Sequence, residues 1–268
     1  MMRKVLVVAR DSRQVFARAL GVALICIFCV IATSGCSDEP SKDPVKLARQ
    51  ANDGNVKAQL NLGLMYMKGD GGMPKDASKA AEWFQKAADQ GNVKAQFYLG
   101  EMYLHGVGVP KNGPKASELL RAAADQGDAQ AQLALAAVGF DGFIQLPGLD
   151  IDKARGWLQK AVDQGFAPAQ FYLGNLYLAN RIGGVEWWDS CRKGLELFQK
   201  AAGQGFVPAQ FKLGEMYKGG FSIPADNGPP GGPRKVLVAP DNRKAKEWYE
   251  KAAAQGDKKA QEALNGLK

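Results

Sequence analysis

The chain has 268 residues, 46% of them hydrophobic, with 35 Lys/Arg against 27 Asp/Glu and a net charge of +8. Removing the first 35 residues leaves 30 basic against 26 acidic side chains, or +4, spread one or two per predicted helix. That excludes the dense basic footprint of a nucleic-acid-binding protein, so no nucleic-acid partner is expected.

Residues 1–35 read as a removable targeting segment. A basic stretch up to Arg18 leads into the apolar run Ala19–Ala32, too short for a membrane span of about 20 residues and suited to a signal-peptide core. Thr33-Ser-Gly-Cys36 follows and resembles a bacterial lipobox, with Thr33 where such motifs usually carry Leu. The resemblance implies cleavage before Cys36, lipidation of its thiol and, with Ser37 next, sorting to the outer membrane of a Gram-negative cell, facing the periplasm. Ordinary secretion after Ser34 and an uncleaved anchor remain the alternatives. Residues 36–43 form a short polar tether. With Cys26 and Cys29 in the removed segment and Cys36 acylated, Cys191 is left without an intramolecular partner, and packing must hold the fold. A buried, inert thiol is the expected state of Cys191.

From residue 44 a period takes over. Gly-x-x-x-Ala-Gln recurs at Gly54, Gly91, Gly127, Gly165, Gly205 and Gly256, with successive alanines 37, 36, 38, 40 and 51 residues apart. A second phrase precedes five of these glycines by 12 residues, at Lys79, Lys115, Lys153, Lys193 and Lys244, and is fullest as Lys79-Ala-Ala-Glu-Trp-Phe-Gln-Lys-Ala-Ala88. Ala80, Trp83, Phe84, Ala87 and Ala88 share one helical face, and Gly91 ends that helix in the left-handed conformation. Asn92 or Asp128 suits the next cap, and Pro168 and Pro208 fall in a first turn, where a missing N–H costs nothing. In the following helix Ala95, Leu99, Met102 and Tyr103 share a face. Gly63, Gly100, Gly174 and Gly214 recur inside it, with Ala136 replacing the glycine once, which points to close helix approach.

Two phrases in a period of this length define a helical solenoid. The pattern resembles the Sel-one-like repeat (SLR) family, a relative of the tetratricopeptide repeat; its phrase stands almost complete at Ala95–Gly127, including Gly106-Val-Gly-Val109. The resemblance covers residues 43–268 and implies an all-α, right-handed helical-hairpin solenoid. Five complete SLR helix pairs are expected, with a preceding half-repeat at Pro44–Asn52 and a capping helix at Asp257–Leu267. The disulfides of the family's cysteine-rich branch have no counterpart here.

The family implies protein–protein interaction, with the first helix of each pair lining a concave face. Counted from each repeat's Ala, positions 3, 6 and 10 change freely and form one stripe: Asn61, Leu64 and Lys68; Tyr98, Glu101 and His105; Ala134, Ala137 and Asp141; Tyr172, Asn175 and Ala179; Lys212, Glu215 and Gly219. These are either unconstrained solvent positions or, taken together, a binding face. Two insertions interrupt the period. Gly183–Cys191 is read as a loop whose Trp187 and Trp188 either anchor an interface or pack over the solenoid's edge. Gly219–Asn242 holds five prolines, which exclude a helix; Val236–Val238 suits a short strand or pairing with a partner's edge.

Catalytic constellations are missing. One histidine, His105, and one remaining cysteine argue against a metal centre; Gly106-x-Gly108 follows a helix and lacks dinucleotide context. Glu82, Glu101, Glu118, Glu215 and Glu247 read as solvated helix-surface carboxylates. No enzyme activity and no cofactor are expected. The SLR resemblance implies a monomeric, lipid-anchored adaptor for a protein partner, in its sharper form an immunity protein neutralising a periplasmic toxin such as a secreted phospholipase. A peptidoglycan-binding or peptidoglycan-modifying protein, with Glu101 and Glu215 as its best candidates, and a structural scaffold assembling through the tryptophan loop are the alternatives.

Overall fold

The computed structural model describes residues 43–141, 146–182, 186–224 and 234–267. The expected signal segment, Cys36 and the tether up to residue 42 lie outside the described residues. Among these there are twelve α-helices: α1 (Pro44–Asn52), α2 (Val56–Lys68), α3 (Ala77–Asp89), α4 (Val93–His105), α5 (Gly113–Asp125), α6 (Ala129–Asp141), α7 (Ile151–Asp163), α8 (Ala167–Leu178), α9 (Trp187–Gly203), α10 (Val207–Gly219), α11 (Asn242–Ala254) and α12 (Lys258–Asn265). Helices α2 to α11 form the five expected pairs, and α1 and α12 are the terminal half-repeats. None of the described helices is long and apolar enough to cross a membrane.

The helix starts follow from side-chain caps. Asn55, Asn92, Asp128 and Asp257 each accept the amide three residues on, at 2.8–2.9 Å, to open α2, α4, α6 and α12. Helices α8 and α10 have Phe166 and Phe206 at that position, without a side-chain bond, and a proline in the first turn instead. The second helix of a pair has its own cap, absent from the repeat phrase as read above: Asp76, Asn112, Asp150 and Asp241 accept the amides of Lys79, Lys115, Lys153 and Lys244. That bond holds the Asp150 and Asp241 carboxyls below the usual aspartate range, burial opposing it and the neighbouring Lys153, Lys244 and Arg243 adding to it.

Four of the five pairs close on the recurring helix glycine, Ala136 standing in its place in α6. A Cβ on Gly63 would stand 2.6 Å from the Phe84 ring, on Gly100 2.8 Å from Leu120, and on Gly214 2.5 Å from Tyr249. In the α8–α9 pair both partners are glycine, and backbone meets backbone. A Cβ on Gly174 would lie 3.1 Å from the Gly194 carbonyl oxygen, and one on Gly194 2.9 Å from that of Gly174. Ala80, Phe84, Ala87, Leu120, Leu158, Phe198 and Ala201 are fully buried against these seams. Trp83, expected on the same face, is only half-buried; it packs on the α1–α2 cluster and lies under Lys86 Nζ, 3.8 Å from the ring centroid. The tyrosine near the end of the first helix and the lysine that begins the second phrase also clasp. Tyr66–Lys79, Tyr103–Lys115, Tyr177–Lys193 and Tyr217–Lys244 place the ammonium 5.1–6.0 Å from the ring centroid.

The glutamine of Ala-Gln has a role that the sequence reading did not assign. Gln59, Gln96, Gln132, Gln170 and Gln210 are buried or nearly so. Each accepts a hydrogen bond from a glutamine in the next turn between repeats: Gln90 to Gln59 (2.8 Å), Gln126 to Gln96, Gln164 to Gln132, Gln204 to Gln170 and Gln255 to Gln210 (2.9 Å each). Gln59, Gln132 and Gln210 pass the chain on by donating to the carbonyls of Ala51, Ala124 and Ala202 at 3.1–3.2 Å. A polar spine therefore runs through the repeats, its amides satisfied by one another.

The described ends of the second insertion pair as a ribbon. Strand β1 (Phe221–Pro224) pairs antiparallel with β2 (Arg234–Val238), with an irregularity between Phe221 and Ser222. Val236–Val238 thus pairs with the chain's own strand. Ile223 and Val238 are buried, Val238 joining the α9–α10 core. The first insertion differs from the expected loop: Trp187 and Trp188 form the first turn of α9, which runs 17 residues against 13 for most of its counterparts. Asp189 in that turn favours the helix dipole, and Arg192 pairs with both Asp189 and Glu196 at 3.3 Å. Cys191 is fully buried there, and burial pushes its thiol pKa up, as an inert thiol requires.

Candidate binding face

Helix periodicity puts residues at i, i+4, i+7 and i+11 in line, so Lys94, Tyr98, Glu101 and His105 form one flank of α4. Its near end meets α6: Lys94 Nζ lies 2.7 Å from Asp128 Oδ2 and 2.8 Å from Gln130 Oε1. Asp128 is buried and also caps α6. Tyr98 is half-buried, stacked on Phe84 with centroids 5.3 Å apart. Burial first, and then the Asp128 charge, pushes its phenol from 10.0 up to about 12. Its contribution to stability is complete below pH 10.0 and is lost as pH rises to about 12, because the unfolded phenol ionises first. Alkaline unfolding of Tyr98→Phe is expected to lack that part of the decline, as read by urea midpoints across the same window.

Glu101 is a correction to the reading of solvated carboxylates. Its side chain is only 11% exposed. Oε2 lies 3.7 Å from His105 Nε2, and Oε1 is buried with no hydrogen-bond donor among the described residues. Glu82, Glu118 and Glu247 are exposed, as read.

The same stripe on α10 is built differently. Glu215 accepts a hydrogen bond from the Tyr249 hydroxyl, whose ring is fully buried at the position that Leu120 holds in the α4–α5 pair. Burial, that hydrogen bond and the carboxylate charge all raise the Tyr249 pKa. Burial lowers the Lys212 pKa, with Glu215 acting against it. Between these helices Asn175 donates to the Phe171 carbonyl at 2.9 Å, and Tyr172 meets Phe140 edge-on at 6.4 Å. Asn61 and Leu64 are half-buried and Lys68 is exposed. The stripe is therefore a chemically varied face, half-buried at most of its described positions and exposed at Lys68, Ala179, Glu215 and Gly219. Trp187 and Trp188 stand away from it: Trp187 is 39% exposed, and Trp188 lies beneath Lys235 of β2, 5.5 Å from Nζ. Among the described residues no three His, Cys, Asp or Glu side chains converge on a metal-sized site.

The Sel1 repeat family model matches residues 56–92, 93–128, 129–166, 167–206, 207–228 and 235–257. A Sel1 repeat protein from Oxalobacter formigenes is 31% identical, with a TM-score of 0.64 over 84% of this chain and 59% of its own. The chain thus spans well under two thirds of that relative's length. Immunity protein PA5088 from Pseudomonas aeruginosa is 26% identical, with a TM-score of 0.51 over 76% of this chain and 66% of that one. A second Pseudomonas aeruginosa immunity protein, Pa5087, shares the fold at 21% identity, with a TM-score of 0.54 over 87% of this chain and 81% of its own. No curated protein matches the chain.

Proposed function

The chain belongs to the Sel1 repeat family, and from that premise we propose that it is a non-enzymatic adaptor binding one protein partner across the variable stripe of α2, α4, α6, α8 and α10. The observation that carries this reading is the contrast within each first helix. Positions that build the seam, the spine and the clasp repeat, whereas those on the stripe change from helix to helix, most of them half-buried and Lys68, Ala179, Glu215 and Gly219 exposed. A preformed surface of that kind loses little conformational freedom on binding.

In its sharper form the partner is an antibacterial toxin delivered to the periplasm, and the protein is its immunity factor, held at the outer membrane through a lipid on Cys36 and acting as a monomer. The likeness to immunity protein PA5088 supports the toxin partner, and the lipobox-like Thr33–Cys36 supports the anchor. Affinity capture with the full chain from the native organism's lysate, read by mass spectrometry, is expected to return one stoichiometric protein that is a toxic hydrolase. Recovery of peptidoglycan fragments alone would overturn the adaptor reading. Metabolic labelling with a radioactive fatty acid is expected to mark the wild type and not Cys36→Ala; equal labelling would remove the anchor.

A further inference from the structure

The Glu101 carboxylate is placed at a cost. A buried acceptor without a donor is destabilising, and more so when charged. Among the described residues nothing beside it supplies a donor. Its counterpart Glu215 has the Tyr249 hydroxyl, but the α5 residue equivalent to Tyr249 is Leu120. The stripe positions of α6 are Ala134 and Ala137, neither with a polar side chain. His105 is 3.7 Å from Oε2, beyond hydrogen-bond distance, and is itself 21% exposed. Both oxygens of one carboxylate are thus short of strong donors, at the edge of the stripe, under a displaceable imidazole.

We infer that Glu101 is the receptor for an arginine side chain presented by the protein partner. A guanidinium carries paired N–H donors in the fork geometry of a carboxylate, so one group satisfies both oxygens, which an ammonium does less completely. It reaches Glu101 by turning the His105 ring aside. This rests on the partner-binding reading above and names the chemistry of that same face.

His105 is the chain's sole histidine, so its ring signals in NMR need no assignment and report on Glu101 directly. In the full chain, methylguanidinium chloride is expected to shift those signals saturably, with a midpoint of about 10 mM for so small a fragment. Tetramethylammonium chloride at equal ionic strength, which has no donor, is expected to leave them in place. Glu101→Gln, its fold checked by circular dichroism, is expected to abolish the saturable shift. No saturable shift in the wild type, or the same shift in the variant, would overturn the assignment. A second measurement separates recognition from structure. Glu101→Leu, which places at this position the residue that α2 carries as Leu64, is expected to unfold in urea no earlier than the wild type; a lower midpoint would make Glu101 a structural residue and end the proposal. Neither readout requires the partner, so a silent His105 and a failed capture are separate results.

Discussion

Replacing Gly174 by alanine is expected to cost the protein about 1–3 kcal/mol, the range for forcing a methyl group into a packed seam. The added carbon would sit 2.7 Å from the Phe198 ring and 3.1 Å from the Gly194 carbonyl oxygen. A ring can tilt; the backbone oxygen belongs to α9 and moves only if the helix moves. Gly194→Ala meets the same obstacle from the other side, at 2.9 Å from the Gly174 carbonyl, together with Leu178. Each variant is expected to lower the urea midpoint, and the double variant to lose no more than the sum, because separating the helices once relieves both clashes. Gly156 supplies the control. It lies inside α7 with nothing within 4 Å of a built Cβ, so Gly156→Ala is expected to stabilise by about 0.5–1 kcal/mol through helix propensity alone. A similar gain in stability at Gly174 and Gly156 would mean that propensity, not approach, governs the helix glycines.

The second large effect lies in the polar spine. Gln132 is 2% exposed, donates to the Ala124 carbonyl at 3.1 Å and accepts from Gln164 at 2.9 Å. Gln132→Leu keeps the bulk but orphans a buried carbonyl and a part-buried amide, and is expected to cost about 2–4 kcal/mol at about 1–2 kcal/mol per group. Chemical denaturation checks it. Gln132→Glu tests the mechanism, because a carboxylate still accepts from Gln164 but has no proton for Ala124. That variant is expected to recover stability as acid protonates the carboxyl and restores a donor, whereas Gln132→Leu shows no such recovery. Parallel acid profiles for the two would show that the spine contributes bulk and not hydrogen bonds.

These two tests bear on residues of different legibility. The glycines could be read from the chain, because a glycine recurring inside a helix that its neighbours would otherwise favour has only close approach to recommend it. The number of pairs and the terminal half-helices were legible for the same reason: the phrases repeat. Gln132 was not. A helical glutamine ordinarily faces water, and its partner Gln164 lies 32 residues on, in a turn whose position depends on the finished stack. The tryptophans of α9 failed for a local reason. That helix begins without a capping side chain or a first-turn proline, so nothing in Gly183–Glu186 announces its start. Glu101 failed for a tertiary one. Its burial belongs to the packed helices, and the α4 sequence alone reads as an ordinary acidic surface position.

The rungs of the glutamine spine are interchangeable parts. Every rung has the same polarity, a later amide donating to an earlier oxygen, and the length varies by only 0.1 Å although the repeats differ from 36 to 51 residues. An in-frame loss or duplication of one whole repeat therefore joins a donor to an acceptor of the same kind and strands no polar atom inside. Genes encoding such chains can gain and lose units by unequal recombination without passing through a misfolded intermediate, and the stripe lengthens or shortens one helix at a time. The variable ribbon and the α9 extension hang outside that rule. They lie between rungs and leave the geometry of the joints unchanged.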